Sequence, residues 1–342
     1  MADLDLSRYS RQMRFPALGE EGQRRLLRAR VAVIGCGATG STIASLLARA
    51  GVGFLRLIDR DFVELHNLHR QLLYDEADAA EPLPKAVAAQ RHLSRINSEI
   101  SIEAVVADVH PGNVLGFIED VDWVMDGTDN METRYVLNDA CIRAGRPWIY
   151  TGAVGSTGMT MTIIPRRTAC LRCVMPQPPA PGSLATCDTA GVLGPAVAVI
   201  SAIAAGEAIK HIAGMNGVNE GMLHFDLIGN QLDRFDVGGP RPDCPTCGAG
   251  RYDFLEGDQH AQSVSLCGRN AVQVSPGGQA ALDLRRLGEA LKGTGQVKVT
   301  DYLLRARIDR YEFTVFPDGR AIIKGTDDPA VARALYARYI GH

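Results

Sequence analysis

A short glycine-rich segment, GCGATG at residues 35–40, lies between the apolar run 31–34 and the helical pattern 40–50. A strand, a glycine turn and a helix in this order begin a nucleotide-binding unit, because the glycines let the backbone approach a phosphate at the helix N-terminus. Asp59 follows at the end of the next apolar run, where an acidic side chain can bind the hydroxyls of a ribose. This pattern alone fits both a dehydrogenase that binds a nicotinamide dinucleotide and other proteins that bind adenosine nucleotides.

The first part of the chain alternates short apolar runs with helical periodicity, which is typical of a parallel sheet with helices on both faces. Apolar β-type runs broken by glycines follow at residues 145–167. We therefore predict an α/β fold for residues 1–250, a Rossmann-like nucleotide-binding domain with a mixed β-sheet. The predicted strands are 31–34, 54–58, 102–106 and 123–125, and the predicted helices are 40–50, 85–96 and 132–144.

The C-terminal part of the chain has a different pattern, and we predict a small α+β domain over residues 255–342. Asp283 is a helix cap by its position before the amphipathic segment 284–293. Asp328 and Pro329 supply the cap and the first-turn proline of a final helix. The run 271–275 before the first of these helices and the apolar runs between the two helices predict strands.

The composition is that of a soluble globular protein, with 46% hydrophobic and 22% charged residues among 342. The formal net charge is −3 and no long basic run is present, which disfavours nucleic acid as the main partner. The N-terminus is polar, unlike a secretory signal, and the longest apolar stretch, 191–206, is too short for a membrane span. This apolar stretch overlaps a helix that we expect from near Pro195 to Gly214. We expect a cytoplasmic protein, in which the eight cysteines are metal ligands, nucleophiles or core residues and not disulfides.

Charged and amide side chains follow the predicted strands at the edge where open parallel sheets bind their ligands. They are Asn67, Arg70 and Gln71 beyond the second strand, Lys85 at the start of the next helix, and Asp126 and Asp129 beyond a later strand. A triphosphate requires arginine, lysine and a carboxylate that holds Mg²⁺, whereas helix amides largely satisfy the pyrophosphate of a dinucleotide. The set therefore favours ATP as the nucleotide.

Four cysteines form two pairs of the same spacing, Cys170-x-x-Cys173 and Cys244-x-x-Cys247. Four thiolates bind Zn²⁺ tetrahedrally, and two turns of this spacing are the usual source of them. The alternative is a redox-active pair, but such a pair usually opens a helix of a thioredoxin-like unit, and neither of these lies in one. We predict a structural zinc-knuckle region that joins the middle of the first domain to its end.

Several motifs together resemble the MoeB/ThiF/HesA family of adenylating enzymes, which is related to the ubiquitin-activating enzymes. They occur in the family's order over roughly residues 7 to 250: RYSRQ, GCGATG, LIDRDFVELHNLHRQ, PKAVAA, DGTDN, CLRC, TCDTAGVLGP and CPTC. The resemblance implies a homodimer that uses MgATP to adenylate the C-terminal glycine of a small ubiquitin-like sulfur carrier of the ThiS or MoaD kind, releasing pyrophosphate. The carrier would end in Gly-Gly. The terminal domain does not resemble a rhodanese-type sulfurtransferase, so a separate protein would donate any sulfur.

The same resemblance implies roles for individual residues and supports zinc on the four paired cysteines. Asp59 would bind the ribose, Asn67, Arg70 and Lys85 the phosphates and Asp129 the Mg²⁺, while Arg11 would reach the triphosphate across the dimer. The implied nucleotide-binding set is Gly35, Gly37, Ala38, Gly40, Asp59, Asp61, Asn67, Arg70, Gln71, Lys85, Asp129 and Asn130. The implied catalytic set is Arg11, Arg70, Lys85, Asp129 and Cys187. Ala38 departs from the glycine that is common in the family, and a methyl group is the smallest change available.

Cys187 lies between the proline-rich stretch 176–183, which predicts a mobile loop, and the start of a helix. A helix N-terminus favours a nucleophilic thiolate, but the neighbouring carboxylate of Asp188 argues against a strong one. By resemblance, some relatives use this cysteine to take the carrier as a thioester or acyl-disulfide, whereas others only adenylate. A covalent role and a packing role both stay open. Packing is expected for Cys36 and Cys141, and Cys267 is a lesser candidate for reactivity.

Three alternative functions are kept. A related branch of the family activates a carboxylate on modified tRNA adenosine, although the mildly acidic chain disfavours it. A binding-only partner subunit would not need Arg11, Arg70, Lys85 and Asp129 together. An NAD-dependent oxidoreductase would leave those residues and the paired cysteines unexplained. The sequence does not choose among thiamin, molybdopterin, tRNA thiolation, cysteine synthesis and conjugation pathways, nor does it say whether the terminal domain docks the carrier or stabilises the dimer.

Overall fold

The structure, a computed structural model, describes residues 6–81, 83–179, 187–256, 263–266, 270–275 and 282–341. For residues 187–188 and 263–266 it describes the backbone alone. The chain divides into two units, Met1–Gly257 and Asp258–His342, and each is considered by itself. Cys267 and part of the loop predicted at 176–183 lie outside the described residues.

The first unit is built on a single mixed sheet. Its strands are β1 (Arg30–Ile34), β2 (Phe54–Asp59), β3 (Ser101–Val106), β4 (Trp123–Asp126), β5 (Trp148–Val154), β6 (Thr157–Ile163), β7 (Met222–Asp226) and β8 (Gln231–Phe235). They lie in the order β3-β2-β1-β4-β5-β6-β7-β8. Pairing is parallel from β3 to β5 and antiparallel from β5 to β8. The predicted α/β fold with a mixed sheet is confirmed, and the four predicted strands correspond to β1–β4.

Helices precede, connect and follow these strands. They are α1 (Ser10–Met13), α2 (Gly19–Arg28), α3 (Ala38–Ala50), α4 (Glu76–Ala80), α5 (Lys85–Ile96), α6 (Val114–Ile118), α7 (Met131–Ala144), α8 (Leu171–Val174), α9 (Cys187–Ala190), α10 (Gly194–Ala213) and α11 (Asp253–Glu256). Two short 3-10 turns lie at Ser7–Tyr9 and Leu65–Asn67. The predicted helices 40–50, 85–96 and 132–144 correspond to α3, α5 and α7.

Local signals set the bounds of the elements that carry the candidate site. β4 is a continuous run of buried residues, as expected for a central parallel strand covered on both faces. α3 and α7 end at Gly51 and Gly145, whose φ angles of 85° and 66° suit glycine. Asn130 begins α7 by accepting a hydrogen bond from the Thr133 amide at 2.8 Å. Because β1, β2 and β4 are parallel, the loops that follow them meet at one edge of the sheet.

α10 confirms the helix predicted from near Pro195 to Gly214, and it contacts α2, α3, β5 and β6. Within the described ranges, it is the one helix whose length and composition would allow it to cross a membrane. Half of its most apolar window is buried inside the protein. A core helix meets the same criterion, and these contacts are those of a core helix.

The second unit has its own antiparallel sheet. Its strands are β9 (Ser263–Leu266), β10 (Ala271–Val274), β11 (Gln296–Val299), β12 (Leu304–Ile308), β13 (Tyr311–Val315) and β14 (Ala321–Lys324), in the order β11-β12-β13-β14-β10-β9. Two helices, α12 (Leu284–Leu291) and α13 (Pro329–Tyr339), pack on one face around Phe313 and Ile323. Asp283 and Asp328 cap them through backbone amides, as predicted. The predicted small α+β fold of this region is confirmed.

Candidate nucleotide site and cysteine cluster

The glycine loop after β1 packs backbone against backbone. A methyl group on Gly40 would overlap the carbonyl oxygen of Gly35, and one on Gly127, which follows β4, would overlap the same oxygen. Gly35 itself has a φ of 85°, which glycine adopts without strain. Among the described residues, no side chain caps α3 at Gly37. The first amides of α3 are therefore held, by close glycine contacts, at the edge where phosphates bind in such sheets.

Asp59, predicted as the ribose ligand, stabilises this loop through hydrogen bonds. Its carboxylate accepts hydrogen bonds from the amides of Cys36 and Asp61, both at 2.6 Å. Burial raises the pKa of Asp59, and the nearby Lys85 ammonium opposes that shift. Carboxylate oxygens can accept more than one hydrogen bond each, so these bonds leave room for ribose hydroxyls. Binding of the ribose by Asp59 stays a prediction.

Lys85 and Asp61 form an ion pair beside the loop, with Nζ 3.2 Å from Oδ2 and only 7% and 17% of the two side chains exposed. Tyr74, which the sequence analysis did not single out, joins the same group. Its hydroxyl lies 2.6 Å from the Cys36 carbonyl oxygen and 3.2 Å from that of Lys85. Lys85 thus begins α5 directly beside the glycine loop, where its ammonium can act on a phosphate.

Asn67 and Gln71 are buried beside the loop, each about 3% exposed. Within the described part of the chain, the side-chain oxygens of both residues have no hydrogen-bond partner. A methyl group on Gly37 would lie 3.9 Å from Gln71 Nε2, which places the Gln71 amide over the glycine turn. Arg70 is half-buried and donates to the His66 carbonyl oxygen at 3.0 Å. Buried polar groups normally have partners, so a polar ligand or an ordered water molecule would satisfy these two side-chain oxygens.

The end of β4 and the loop after it carry the two carboxylates predicted there, and the surroundings of these carboxylates differ. Asp129 is exposed, whereas Asp126 is fully buried and lies 3.0 Å from the guanidinium of Arg134. Asn130 caps α7, so its side chain is already engaged. The sequence analysis did not predict a role for Arg134. A carboxylate at the end of a buried strand requires a cation nearby, but the sequence does not say which residue supplies it.

The remaining catalytic candidates are placed only in part. Arg11 is exposed on α1. Cys187 begins α9, and its side chain lies outside the description. The residues that follow it are held on the turn between β5 and β6, where the amide of Gly155 donates to the Gly191 carbonyl at 2.9 Å. A methyl group on Gly194 would lie 2.6 Å from the His69 carbonyl oxygen, so the start of α10 packs beside the 66–71 segment.

The four paired cysteines converge. Cys170 Sγ lies 3.8 Å from Cys173 Sγ and 3.6 Å from Cys244 Sγ, and Cys173 Sγ lies 3.3 Å from Cys247 Sγ. In a tetrahedron of thiolates about 2.3 Å from Zn²⁺, the sulfur atoms are about 3.8 Å apart. A disulfide would need about 2.05 Å. The cluster therefore fits a metal ion and not a disulfide pair.

Polar groups around the cluster fix both cysteine turns on α7. Asn138 accepts from the Leu171 amide at 2.9 Å, and Asp139 accepts from the Thr246 hydroxyl at 2.7 Å. Burial raises the pKa of Cys244, but the amides of Cys247 and Thr246 stabilise its thiolate, and the net effect lowers that pKa. The surroundings thus hold the sulfur atoms in place and favour at least one thiolate.

Comparison with known proteins identifies the family. The sequence model described as "ThiF family" matches residues 9–246, which include the glycine loop and all the predicted nucleotide-binding residues. The chain belongs to the ThiF family. The resemblance predicted from the motifs is confirmed.

Individual relatives of this ThiF-family chain support the same family assignment. It is 40% identical over 336 residues to the sulfur carrier protein ThiS adenylyltransferase of Bacillus subtilis (strain 168), covering 98% of this chain and 99% of that protein. It is also 40% identical over 245 residues to the adenylyltransferase and sulfurtransferase MOCS3 of Mus musculus, covering 71% of this chain but only 53% of MOCS3. A crystal structure of E. coli MccB with MccA-N7isoASN matches 72% of this chain and 76% of that chain, with a TM-score of 0.62 and 25% identity. The predicted adenylyltransferase class is confirmed by the two named adenylyltransferases.

Proposed function

We propose that this chain uses MgATP to adenylate the C-terminal glycine of a small ubiquitin-like sulfur carrier, releasing pyrophosphate. The observation that supports this most directly is the similarity to a ThiS adenylyltransferase, which extends through both units of the chain. The partial similarity to MOCS3 supports the same class of reaction. The carrier would end in Gly-Gly.

The nucleotide binds, in this proposal, across the carboxyl ends of β1, β2 and β4. Phosphate oxygens accept from the first amides of α3, and the ribose hydroxyls contact Asp59. The buried oxygens of Asn67 and Gln71 support a polar ligand here, because an unsatisfied buried group costs about 1–3 kcal/mol. Each of these oxygens accepts hydrogen bonds, so a hydroxyl or a water molecule bound with the nucleotide would satisfy it.

Cations then surround the triphosphate. Lys85 exchanges part of its contact with Asp61 for a phosphate oxygen, and Arg70 leaves the His66 carbonyl to do the same. Asp129 would bind the Mg²⁺ that neutralises charge on the phosphates, since exposed carboxylates in a loop beside phosphate are typical Mg²⁺ ligands. Asn130 supports this loop as the cap of α7.

The reaction needs correct placement of the two reactants and neutralisation of the phosphate charges more than it needs a general base. A carboxylate oxygen of the carrier's terminal glycine attacks the α-phosphorus, and a new P–O bond forms. The bond from that phosphorus to the bridging oxygen of the β-phosphate breaks, and pyrophosphate leaves with its electron pair. The product is a mixed anhydride between the carrier and AMP, and no proton transfer is required.

Arg11 is proposed to act on the triphosphate of a second copy in a homodimer. It is exposed on a short helix near the N-terminus, as a side chain that reaches another subunit must be. Activity should then depend on protein concentration. Mixing Arg11→Ala chains with chains inactivated at Lys85 should restore activity, because each mixed dimer keeps one intact site.

Cys187 is proposed to receive the activated carrier after adenylation. Its thiolate attacks the acyl carbon, a C–S bond forms, the C–O bond to phosphate breaks, and AMP leaves. The packing of Gly194 against His69 supports this role, because it holds the chain that follows Cys187 near the nucleotide residues. Any sulfur would come from a separate donor protein.

The four-cysteine cluster is proposed to hold a structural Zn²⁺, with no part in the reaction. All four ligands are cysteines and the set is complete, as in structural and not catalytic zinc sites. None of the six cysteines that the structure describes with side chains forms a disulfide, which suits the reducing cytoplasm proposed for this protein.

The test is ATP–pyrophosphate exchange with and without a Gly-Gly-ending carrier. Carrier-dependent exchange that Asp129→Ala abolishes would support the proposal. The matched control is Asp122→Ala, an exposed aspartate that precedes β4 at its other end. ATP binding without exchange would instead favour the tRNA-modifying branch or an inactive partner subunit, and absence of ATP binding would refute the proposal.

A further inference from the structure

Arg134 is buried in the first unit and donates to three oxygen acceptors at once. Its Nε lies 3.0 Å from Oδ2 of Asp126, and its Nη2 donates to the carbonyl oxygens of Thr128 at 2.7 Å and Thr151 at 2.9 Å. Only 8% of Arg134 is exposed. A single guanidinium therefore connects the end of β4, the loop that follows it, and β5.

Asp126 holds the same loop from the other side. Its Oδ1 accepts from both the amide and the hydroxyl of Thr128, at 2.9 and 2.7 Å. Thr128 is thus fixed through its carbonyl, its amide and its side chain. The residue that follows is Asp129, and Asn130 beyond it is fixed by its bond to the Thr133 amide.

We infer that Arg134 and Asp126 are positioning residues that hold the Asp129 carboxylate where it binds the Mg²⁺ of MgATP. This rests on the proposed function, in which Asp129 is the Mg²⁺ ligand. With Thr128 and Asn130 both fixed, the Asp129 backbone has little freedom of its own. A carboxylate that is placed in advance loses less conformational entropy when it binds the metal.

The geometry explains why the cation is arginine. A guanidinium has donors in several fixed directions within one plane, so it can serve a carboxylate and two carbonyl oxygens together. The ammonium of lysine is a compact point charge on a flexible stem, and it would not reproduce that arrangement. Arg134→Lys therefore keeps the charge opposite Asp126 but releases at least one carbonyl of the loop.

A purely structural role is the competing explanation, because loss of a buried ion pair destabilises a fold whatever it holds. The readout that separates the two is the Mg²⁺ dependence of nucleotide binding. Loss of stability alone does not change the ratio of the ATP affinity with Mg²⁺ to the ATP affinity in EDTA. Misplacement of a metal ligand lowers that ratio.

The test compares Arg134→Lys and Asp126→Asn with the wild-type chain and with Arg56→Lys. Arg56 is a matched control because its side chain is only 12% exposed, pairs with Glu103 and Asp120 and donates to a carbonyl oxygen. ATP affinity is measured by calorimetry with Mg²⁺ and with EDTA, alongside the melting temperature. Carrier-dependent pyrophosphate exchange is measured over a Mg²⁺ series.

We expect both site variants to lower the Mg²⁺-dependent gain in ATP affinity by about tenfold or more, the effect of one lost charge-assisted contact. Affinity in EDTA should stay within about twofold, and the Mg²⁺ concentration for half-maximal exchange should rise. Arg56→Lys should lower the melting temperature without either change. Site variants that lose only thermal stability, or a wild-type affinity that Mg²⁺ does not increase, would overturn the inference.

The proposed function and this inference fail differently. If the wild-type chain shows no carrier-dependent exchange, the proposed function fails, while the calorimetric comparison still decides the positioning role. If Arg134→Lys does not fold, Asp126→Asn decides it, because the asparagine keeps an acceptor for Thr128 and removes the charge that holds the guanidinium.

Discussion

The ammonium of Lys85 lies 3.2 Å from the carboxylate of Asp61, and both groups are largely shielded from solvent. A buried lysine is stable here because the carboxylate compensates its charge. Asp61 is also bonded to Asp59, because the Asp61 amide donates a hydrogen bond to the Asp59 carboxylate at 2.6 Å. The cation proposed for the phosphates and the carboxylate proposed for the ribose are therefore linked through Asp61, which contacts both.

Replacement of Lys85 by methionine should reduce ATP–pyrophosphate exchange by about tenfold to a hundredfold, the effect of losing one charge-assisted hydrogen bond to phosphate. It also removes the nearer of the two cations beside the partly buried Asp61, the other being Arg60 at 3.9 Å, so the melting temperature should fall. The double variant Lys85→Met with Asp61→Asn should recover stability but not exchange. Exchange that recovers with stability would show that Lys85 serves the fold alone.

Replacement of Gly40 by alanine should remove nucleotide binding, because the added methyl group overlaps the Gly35 carbonyl oxygen and the backbone must move. Overpacking of this kind costs about 1–3 kcal/mol or more. Gly116→Ala is the control, since a methyl group there meets nothing within 4 Å. Nucleotide affinity is read by calorimetry, and normal ATP binding by Gly40→Ala would contradict the described packing of the loop.

Removal of one cluster ligand, as in Cys247→Ser, should release the metal and lower the melting temperature. Metal analysis of the wild-type chain should give one zinc per chain. Each kcal/mol of lost stability lowers the melting temperature of a domain of this size by about 2–4 °C. Cys141→Ser changes a buried cysteine outside the cluster and should keep the metal. Equal metal content in the two variants would argue against the cluster as the metal site.

Replacement of Cys187 by alanine should leave carrier-dependent exchange within about twofold, because adenylation precedes any transfer to the thiol. A covalent complex with the carrier, seen by mass spectrometry after incubation with ATP, should disappear. The control is Cys267→Ala, which should retain the complex. A complex that survives in Cys187→Ala and not in Cys267→Ala would move the covalent role to the second unit.

Stability should fall on acidification because of His211. Burial lowers the pKa of this histidine, whose ring packs 4.9 Å from that of Trp123. A lowered pKa means that the folded state disfavours the proton, so the contribution is full above the ordinary value of about 6.5 and is lost as pH falls below it. Urea unfolding at pH 7.5 and pH 5.5 should show a smaller pH effect for His211→Gln than for the wild-type chain. Equal pH effects in the two proteins would contradict this role of His211.

Much of the first unit was predictable because its signals are local. The strands β1, β2 and β4 are apolar runs, and the glycines and caps that bound α3 and α7 are adjacent in sequence. The pairing of the two cysteine turns also followed from spacing, since four thiolates in this pattern have few other uses. β7 and β8 were not predicted individually, because β8 is exposed along its whole length and carries no apolar alternation.

The hydrogen-bond networks could not be predicted from the sequence. Arg134 lies in a helix whose pattern is ordinary, and only the fold shows that its side chain turns inward to Asp126 and Thr151. Asp59 is a similar case. Its position in the sequence predicted a ribose ligand, and the structure shows in addition that its carboxylate accepts two hydrogen bonds from backbone amides. Such contacts depend on which loops meet at a sheet edge, and that is a property of the topology.

The cysteine cluster has a consequence for how the chain is made. Cys173 and Cys247 are 74 residues apart, and α10, β7 and β8 lie between them. At about 5–20 residues per second, a ribosome needs roughly 4–15 s to synthesise that interval. During that time the nascent chain carries Cys170 and Cys173 without Cys244 and Cys247. The two thiols can then be oxidised or can bind a different metal ion. Completion of the cluster is therefore a late event in biosynthesis, and it marks a nascent polypeptide whose first unit has been fully translated.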